Sequence, residues 1–319
     1  MAQLLKLENV CKTFEMGKQI LLKAVEDISL EMDEGEMLGI VGEPGCGKST
    51  LGKLVSGVQP PTAGSILLGG EPLGEAPDPA SRRFSPGVQM LLRESEIDLF
   101  STRPVAETMA MALEETAGCK GGALDAQVFR LLQMVHLDPA RARRQPARLS
   151  EIERVRAAVG YAMCRRPRLL VCDEPVTGME TTAQLLRLLE RVQKQTGVAC
   201  LLFDDDPDLL VETCDRIGVI CRGRMVEFGP AVRIAEHPCH PYTQRLRQHS
   251  RAAADSGQLG KRVVDSGDVN NLVNPGPGCR FASRCPYADA RCRAEYPPRT
   301  EVVPGHWIAC WKSPCTAQE

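Results

Sequence analysis

Residues able to do chemistry fall in three places along the chain. Gly42-Glu43-Pro44-Gly45-Cys46-Gly47-Lys48-Ser49 fits G-x-x-x-x-G-K-[ST]. Glycines at 42, 45 and 47 let backbone N–H groups turn inward around phosphate oxygens, Cys46 among them. Lys48 is placed to reach β- and γ-phosphates, and the Ser49 hydroxyl to ligate Mg²⁺. Thr50 leads into a helix whose N-terminus adds partial positive charge. An ordinary glycine turn would share the glycines but not the Lys-Ser pair. Downstream, Leu169-Leu170-Val171-Cys172 is an apolar run ending in Asp173 and Glu174. Asp173 suits Mg²⁺, and Glu174 suits polarisation of an attacking water. Strand ends are often polar, so this pair gains meaning only beside the phosphate loop.

The third place is a cysteine set. Cys279, Cys285, Cys292 and Cys310 are separated by five, six and seventeen residues. Thiolates suit zinc or an iron–sulfur cluster, and the spacing is looser than the C-x₂-C of zinc fingers. An iron–sulfur cluster, Zn²⁺ and unmetallated thiols all remain open. Cys315 reads as a spare, and His306 beside Trp307 as a packing residue or substitute ligand. Cys11, Cys119, Cys164, Cys200 and Cys221 read as small apolar residues.

These residues need a scaffold. Apolar runs predict strands at residues 5–14, 28–32, 37–41, 65–68, 169–172, 199–203 and 217–221. Helical spacing predicts helices at 50–58, 105–113, 126–137, 181–195 and 208–214, with His136 in the third of these. Strands alternating with helices imply a parallel sheet covered on both faces. The phosphate loop then joins the strand at 37–41 to a helix. Residues 251–319, rich in Gly, Pro, Arg and Cys, read as a loop-rich appendage with little core of its own.

Composition sets the limits. The chain has 319 residues, 43% hydrophobic and 25% charged, which excludes a mainly disordered or collagen-like protein. A net charge of −2 gives no basic excess for nucleic acid, and 4% aromatics argues against base stacking. No apolar run is long enough to span a membrane, and the first residues lack a signal-peptide pattern. A cytosolic location is therefore expected, where 14 cysteines would not be a disulfide framework.

With these motifs in hand, the chain resembles an ATP-binding cassette (ABC) subunit, more narrowly the peptide and nickel importer group. Residues 42–49 match the Walker A loop and 169–174 the Walker B strand. Phe14 sits where the family has an aromatic that stacks on adenine. Val88-Gln89-Met90 matches the strand before the Q-loop, and Leu149-Ser150 opens the signature motif. Cys214-Asp215-Arg216 follows the switch-histidine region. His240-Pro241-Tyr242-Thr243-Gln244 and the cysteine-bearing stretch 278–310 match segments characteristic of this importer group.

The resemblance implies an α/β fold. A RecA-like P-loop core would carry an antiparallel β edge and a helical subdomain at about 77–158. Residues 1–250 would form the nucleotide-binding domain and 251–319 the extension. It implies ATP and Mg²⁺, and a four-iron cluster on the four cysteines, as in some members of the group. It implies an ABC-type ATPase on the cytoplasmic side of the membrane. The partners would be two permease subunits, a second ATPase subunit and, through the complex, an extracytoplasmic solute-binding protein. Nucleic acid is not an expected partner.

Four positions depart from the family pattern. The signature L-S-G-G-Q reads Leu149-Ser150-Glu151-Ile152-Glu153, which puts a carboxylate beside a phosphate. The Q-loop glutamine is Arg93, the switch histidine is Asp205, and the D-loop acid is Glu180. These changes imply a degenerate member of a heterodimer, with slow or absent hydrolysis at its own site. A catalytically silent regulatory or scaffold subunit is the main alternative. A soluble ABC protein acting on nucleic acid or ribosomes is a third.

Overall fold

The computed structural model describes residues 2–17, 20–73, 85–91, 102–118, 120–176, 179–255, 272–313 and 315. Arg93, Cys119, Thr177 and Gly178 lie outside the described residues. An eight-stranded sheet runs in the order β11-β12-β10-β9-β3-β8-β7-β6. Its parallel centre is β6 (Val88–Leu91), β7 (Leu169–Asp173), β8 (Ala199–Asp204), β3 (Met37–Val41) and β9 (Arg216–Cys221). Antiparallel β10 (Arg224–Pro230), β12 (His306–Ile308) and β11 (Thr300–Val303) continue it on one side. A second, antiparallel sheet has the order β2-β1-β4-β5, with β1 (Gln3–Glu15), β2 (Leu21–Asp33), β4 (Ala63–Leu68) and β5 (Glu71–Pro72).

The strands β3 and β7 are buried at every residue, as continuous apolar runs in a covered parallel sheet must be. Alternation divides their side chains between two cores. Leu38, Ile40, Leu169, Val171, Leu201 and Phe203 face the core shared with the second sheet. Between the two sheets lies α1 (Lys48–Val55), whose Leu51, Leu54 and Val55 are almost wholly buried. Each such side chain contributes about 1.5–3 kcal/mol. Met37, Val41, Leu170, Cys172, Cys200 and Leu202 face the other core. The helices α2 (Val105–Ala117), α3 (Gly122–Met134), α4 (Pro139–Ala142), α5 (Glu151–Met163) and α6 (Met179–Thr196) lie on that side. The remaining helices are α7 (Pro207–Val211), α8 (Ala231–Glu236), α9 (Pro241–Asp255) and α10 (Ala290–Ala294).

Several elements differ from the sequence reading. β2 starts at Leu21, not residue 28, because register shifts along the β1–β2 ladder interrupt the alternation that marks a strand. β10, β11 and β12 were not expected. β11 and β12 are short, and β12 joins the sheet only by pairing with the distant β10, whereas β10 follows β9 across a tight turn. α1 ends at Val55, three residues early, as Ser56 caps it and Gly57 turns to φ +75°. His136 lies beyond its helix, exposed and at φ +53°. Among the described residues no helix is long and apolar enough to cross a membrane.

Candidate nucleotide site and cysteine cavity

The phosphate loop runs from the tip of β3 into α1. Gly47 caps the helix at φ +110°, and a Cβ there would meet the Ala24 carbonyl oxygen at 2.1 Å. A Cβ on Gly42 would meet the Ile220 carbonyl oxygen at 2.3 Å. Both positions therefore require glycine on space as well as conformation. Gly45 adopts φ +79° and opens to solvent. Cys46 is buried, which pushes its thiol up, and its carbonyl accepts the Gly223 N–H at 2.8 Å.

The Lys48 side chain is 4% exposed and folds back into the loop. Its Nζ donates to the carbonyls of Gly42 at 2.6 Å and Glu43 at 3.4 Å, and lies 3.6 Å from Glu174 Oε1. Ser49 Oγ donates to Asp173 Oδ1 at 3.1 Å, which joins the two motifs across 124 residues. Thr50 continues α1, half-buried. One ammonium, one hydroxyl and two carboxylates thus converge at the ends of β3 and β7. That donor set suits a Mg²⁺-bound nucleoside triphosphate. Ser49 and Asp173 would offer oxygens to such a metal, and Lys48 a cation to the phosphates. Glu174 holds φ +43°, an uncommon conformation for a non-glycine residue, at the point where a water-polarising base is wanted.

The other positions singled out from sequence are dispersed. Phe14, half-buried near the end of β1, has Lys12 Nζ 5.4 Å from its ring centre. Glu180 is exposed in the first turn of α6. Asp205 sits between two committed acids. Asp204 Oδ1 accepts the Asp206 N–H at 2.9 Å, and the Asp206 side chain caps α7 by accepting the Asp208 N–H. Ser150 caps α5, and Glu153 reaches back to it. The Glu153 carboxylate accepts from both the N–H and the hydroxyl of Ser150, each at 2.9 Å.

Cys279, Cys285, Cys292 and Cys310 line one cavity, with Phe281 and Trp311 among its walls. Burial pushes the Cys310 thiol up to about 11 and raises those of Cys279 and Cys285. Glu227, Cys239 and His306 form the group of ligand types drawn within 4.8 Å of one another among the described residues. It is a hydrogen-bonded group. Glu227 accepts from the N–H groups of Cys239 and His240 and pairs with His306 Nε2 at 2.8 Å. Contrary to the sequence reading, Cys315 is no spare: it forms a disulfide with Cys239, 76 residues away. Sequence spacing alone could not show that approach. Of the scattered cysteines, Cys164, Cys200 and Cys221 are buried, whereas Cys11 is half-buried and its sulfur accepts the Asp27 N–H.

Sequence reasoning missed the contacts behind the loop. The Glu43 N–H donates to Tyr242 Oη at 2.9 Å, and the Glu43 carboxylate takes both guanidinium nitrogens of Arg284, at 2.8 and 2.6 Å. An acid inside an anion-binding loop was the available signal, since it demands a nearby cation.

The sheet order, the loop at the tip of β3 and the Ser49–Asp173 link define a P-loop ATP-binding cassette. A family model described as "ABC transporter" matches residues 25–177, and one described as "Oligopeptide/dipeptide transporter, C-terminal region" matches 226–292. The putative oligopeptide transport ATP-binding protein YkfD of Bacillus subtilis is 32% identical over 96% of this chain and 94% of that protein. The di/tripeptide transport ATP-binding protein DppF of Pseudomonas aeruginosa is 30% identical over 91% and 90%. Among solved structures, cbiO1 of Clostridium perfringens covers 81% of this chain and all of its own at TM-score 0.63 and 18% identity. The cassette MJ0796 bound to ADP and Pi covers 71% and 98%, at TM-score 0.61 and 21% identity. The chain belongs to the ABC transporter family, among the ATP-binding members that carry the oligopeptide/dipeptide transporter C-terminal region. ATP and Mg²⁺ follow as its ligands.

Proposed function

We propose that this chain is the ATP-binding subunit of a peptide (or nickel) importer, lying peripherally on the cytoplasmic side of the membrane. It would work with two permease subunits, a second ATPase subunit and an extracytoplasmic solute-binding protein. The observation that carries this reading is the Ser49–Asp173 contact beside Lys48, in a chain that bears the C-terminal region of peptide-transport ATPases. Equilibrium binding of a labelled Mg-ATP analogue tests the site. Lys48→Ala should weaken it at least tenfold, and unchanged affinity would remove the assignment.

Within the importer the chain acts as the degenerate partner of a heterodimer, with slow hydrolysis at its own site. Its α5 N-terminus, which the family turns toward the partner's γ-phosphate, carries two carboxylates. Glu153 occupies the Ser150 donors, and Oε1 of Glu151 is buried without a hydrogen bond. At Ser150 a second anion would meet these carboxylates in place of the residue's own donors. Asp205 cannot donate to phosphate as a neutral histidine would. Steady-state ATPase of the assembled transporter decides the matter, with Glu174→Gln here set against the matching change in the partner. Loss of turnover only on the change in this chain would make it the active ATPase. Loss only on the partner's change would agree with slow hydrolysis here, and no residual turnover in that partner variant would favour a silent regulatory role.

The four cysteines are proposed to hold a 4Fe–4S cluster that staples the extension. They share a cavity, yet no three lie as close as 4.8 Å. Ligands around one tetrahedral zinc would stand only about 3.8 Å apart, given Zn–S bonds of about 2.3 Å. Anaerobically purified protein should contain iron and inorganic sulfide in equal amounts, lost on Cys285→Ser. Stoichiometric zinc without sulfide would reject the cluster.

A further inference from the structure

The loop that holds phosphate contains an acid, and the structure supplies its counter-charge from the far end of the chain. Glu43 is the second residue of the loop. Its carboxylate is bridged by Nη1 and Nη2 of Arg284 at 2.8 and 2.6 Å, and both side chains are largely shielded, 29% and 16% exposed. The Glu43 N–H is held as well, by the hydroxyl of the buried Tyr242. Arg284 is itself fixed. Its guanidinium lies over the Phe281 ring at 5.3 Å and near the Tyr242 ring at 6.0 Å. Its N–H donates to the Phe281 carbonyl, and the next residue is Cys285 of the cysteine cavity. The clamped residue also carries one of the two carbonyls that receive Lys48, the other belonging to Gly42 beside it.

We propose that Arg284 is a positioning residue for ATP binding: it neutralises Glu43 and orients it away from the phosphates, so that the cysteine-bearing extension sets the nucleotide affinity of the loop. The inference rests on the reading of residues 42–49 as the ATP site. Without Arg284, a bare carboxylate remains in a loop built to receive a polyanion, and the two repel. With Arg284, two parallel charge-assisted hydrogen bonds fix the carboxylate plane and cancel its charge. A lysine could supply the charge but not the fork.

The test is equilibrium binding of a fluorescent Mg-ATP analogue to the full-length chain. Arg284→Ala should raise Kd about tenfold, the scale of one partly shielded charge. Arg284→Lys should fall between the variant and the parent chain. Adding Glu43→Gln to Arg284→Ala should recover most of the affinity, although the ion pair is still absent, because the repelling charge is gone. A role confined to holding the extension together would not be rescued in this way. Affinity within twofold of the parent for Arg284→Ala overturns the proposal, as does equal weakness of the double variant. Lys48→Ala serves as the separate control: if it binds like the parent, the ATP-site reading fails, whatever Arg284 does.

Discussion

Asp204 ends β8 within reach of Glu174, where the loss of water pushes its carboxyl up to about 7. The Asp206 N–H opposes this shift, and the charges of Asp205, Glu174 and Asp206 add to it. The folded value lies above the ordinary 3.8, so folding favours the protonated form. The resulting stability is complete below about pH 4 and drains away as the pH rises to about 7. Asp204→Asn keeps an acceptor for the Asp206 N–H and removes that loss. Its melting temperature should exceed the parent's by a few degrees at pH 8 and converge with it near pH 4. Parallel melting curves across that range would show that the Asp204 charge carries no stability cost. Glu26 behaves in the opposite sense. Burial acts against its charge, but hydrogen bonds from Arg224, Lys23 and Arg280 outweigh it and hold the carboxyl at about 2. Its contribution is present above about pH 4.5 and is lost as the pH falls toward 2.

At the scale of elements, α5 shows how a local motif can be sound and its function altered. Ser150 and Glu153 make a good helix start, so Glu153→Ala should cost about 1 kcal/mol in urea unfolding. The Ser150 N–H, first among the causes, holds the Glu153 carboxyl below the usual range. The cost should therefore fade as the pH drops below about 4.5. An unchanged unfolding midpoint at neutral pH would assign α5 stability to its packed face alone. β3, β7, β8 and the loop were legible in the sequence because fully buried strands read as unbroken apolar runs, whereas α5 was not among the helices its spacing predicted. The Ser49–Asp173 link was legible because both motifs name their residue types. β12 was not, since its three residues become a strand only by pairing with the distant β10. The Cys239–Cys315 bridge and the Arg284–Glu43 pair were hidden for a related reason. Each depends on where a distant segment returns, which composition and spacing do not encode.

At the scale of the whole molecule, the C-terminal segment is bound into the core. β12 pairs with β10 through Glu227↔Ile308 and Phe228↔Trp307, and Trp307 stacks on Phe228 at 5.9 Å between ring centres. His306 is the partner of Glu227, and neither side chain is exposed. Removing residues 256–319 would bare the β10 edge and leave a buried carboxylate short of a partner. Such a truncation should elute as aggregate in size-exclusion chromatography. A monodisperse, ATP-binding fragment would show that the nucleotide core closes its own sheet. Order of synthesis gives the Arg284–Glu43 contact a further meaning. The two residues are 241 positions apart. At about 5–20 residues per second, roughly 10–50 seconds pass on the ribosome between making the acid and making the arginine that neutralises it. For that interval the nascent phosphate loop carries an uncompensated negative charge. On the role proposed for Arg284, the growing chain would bind nucleotide weakly until that arginine is made and docked.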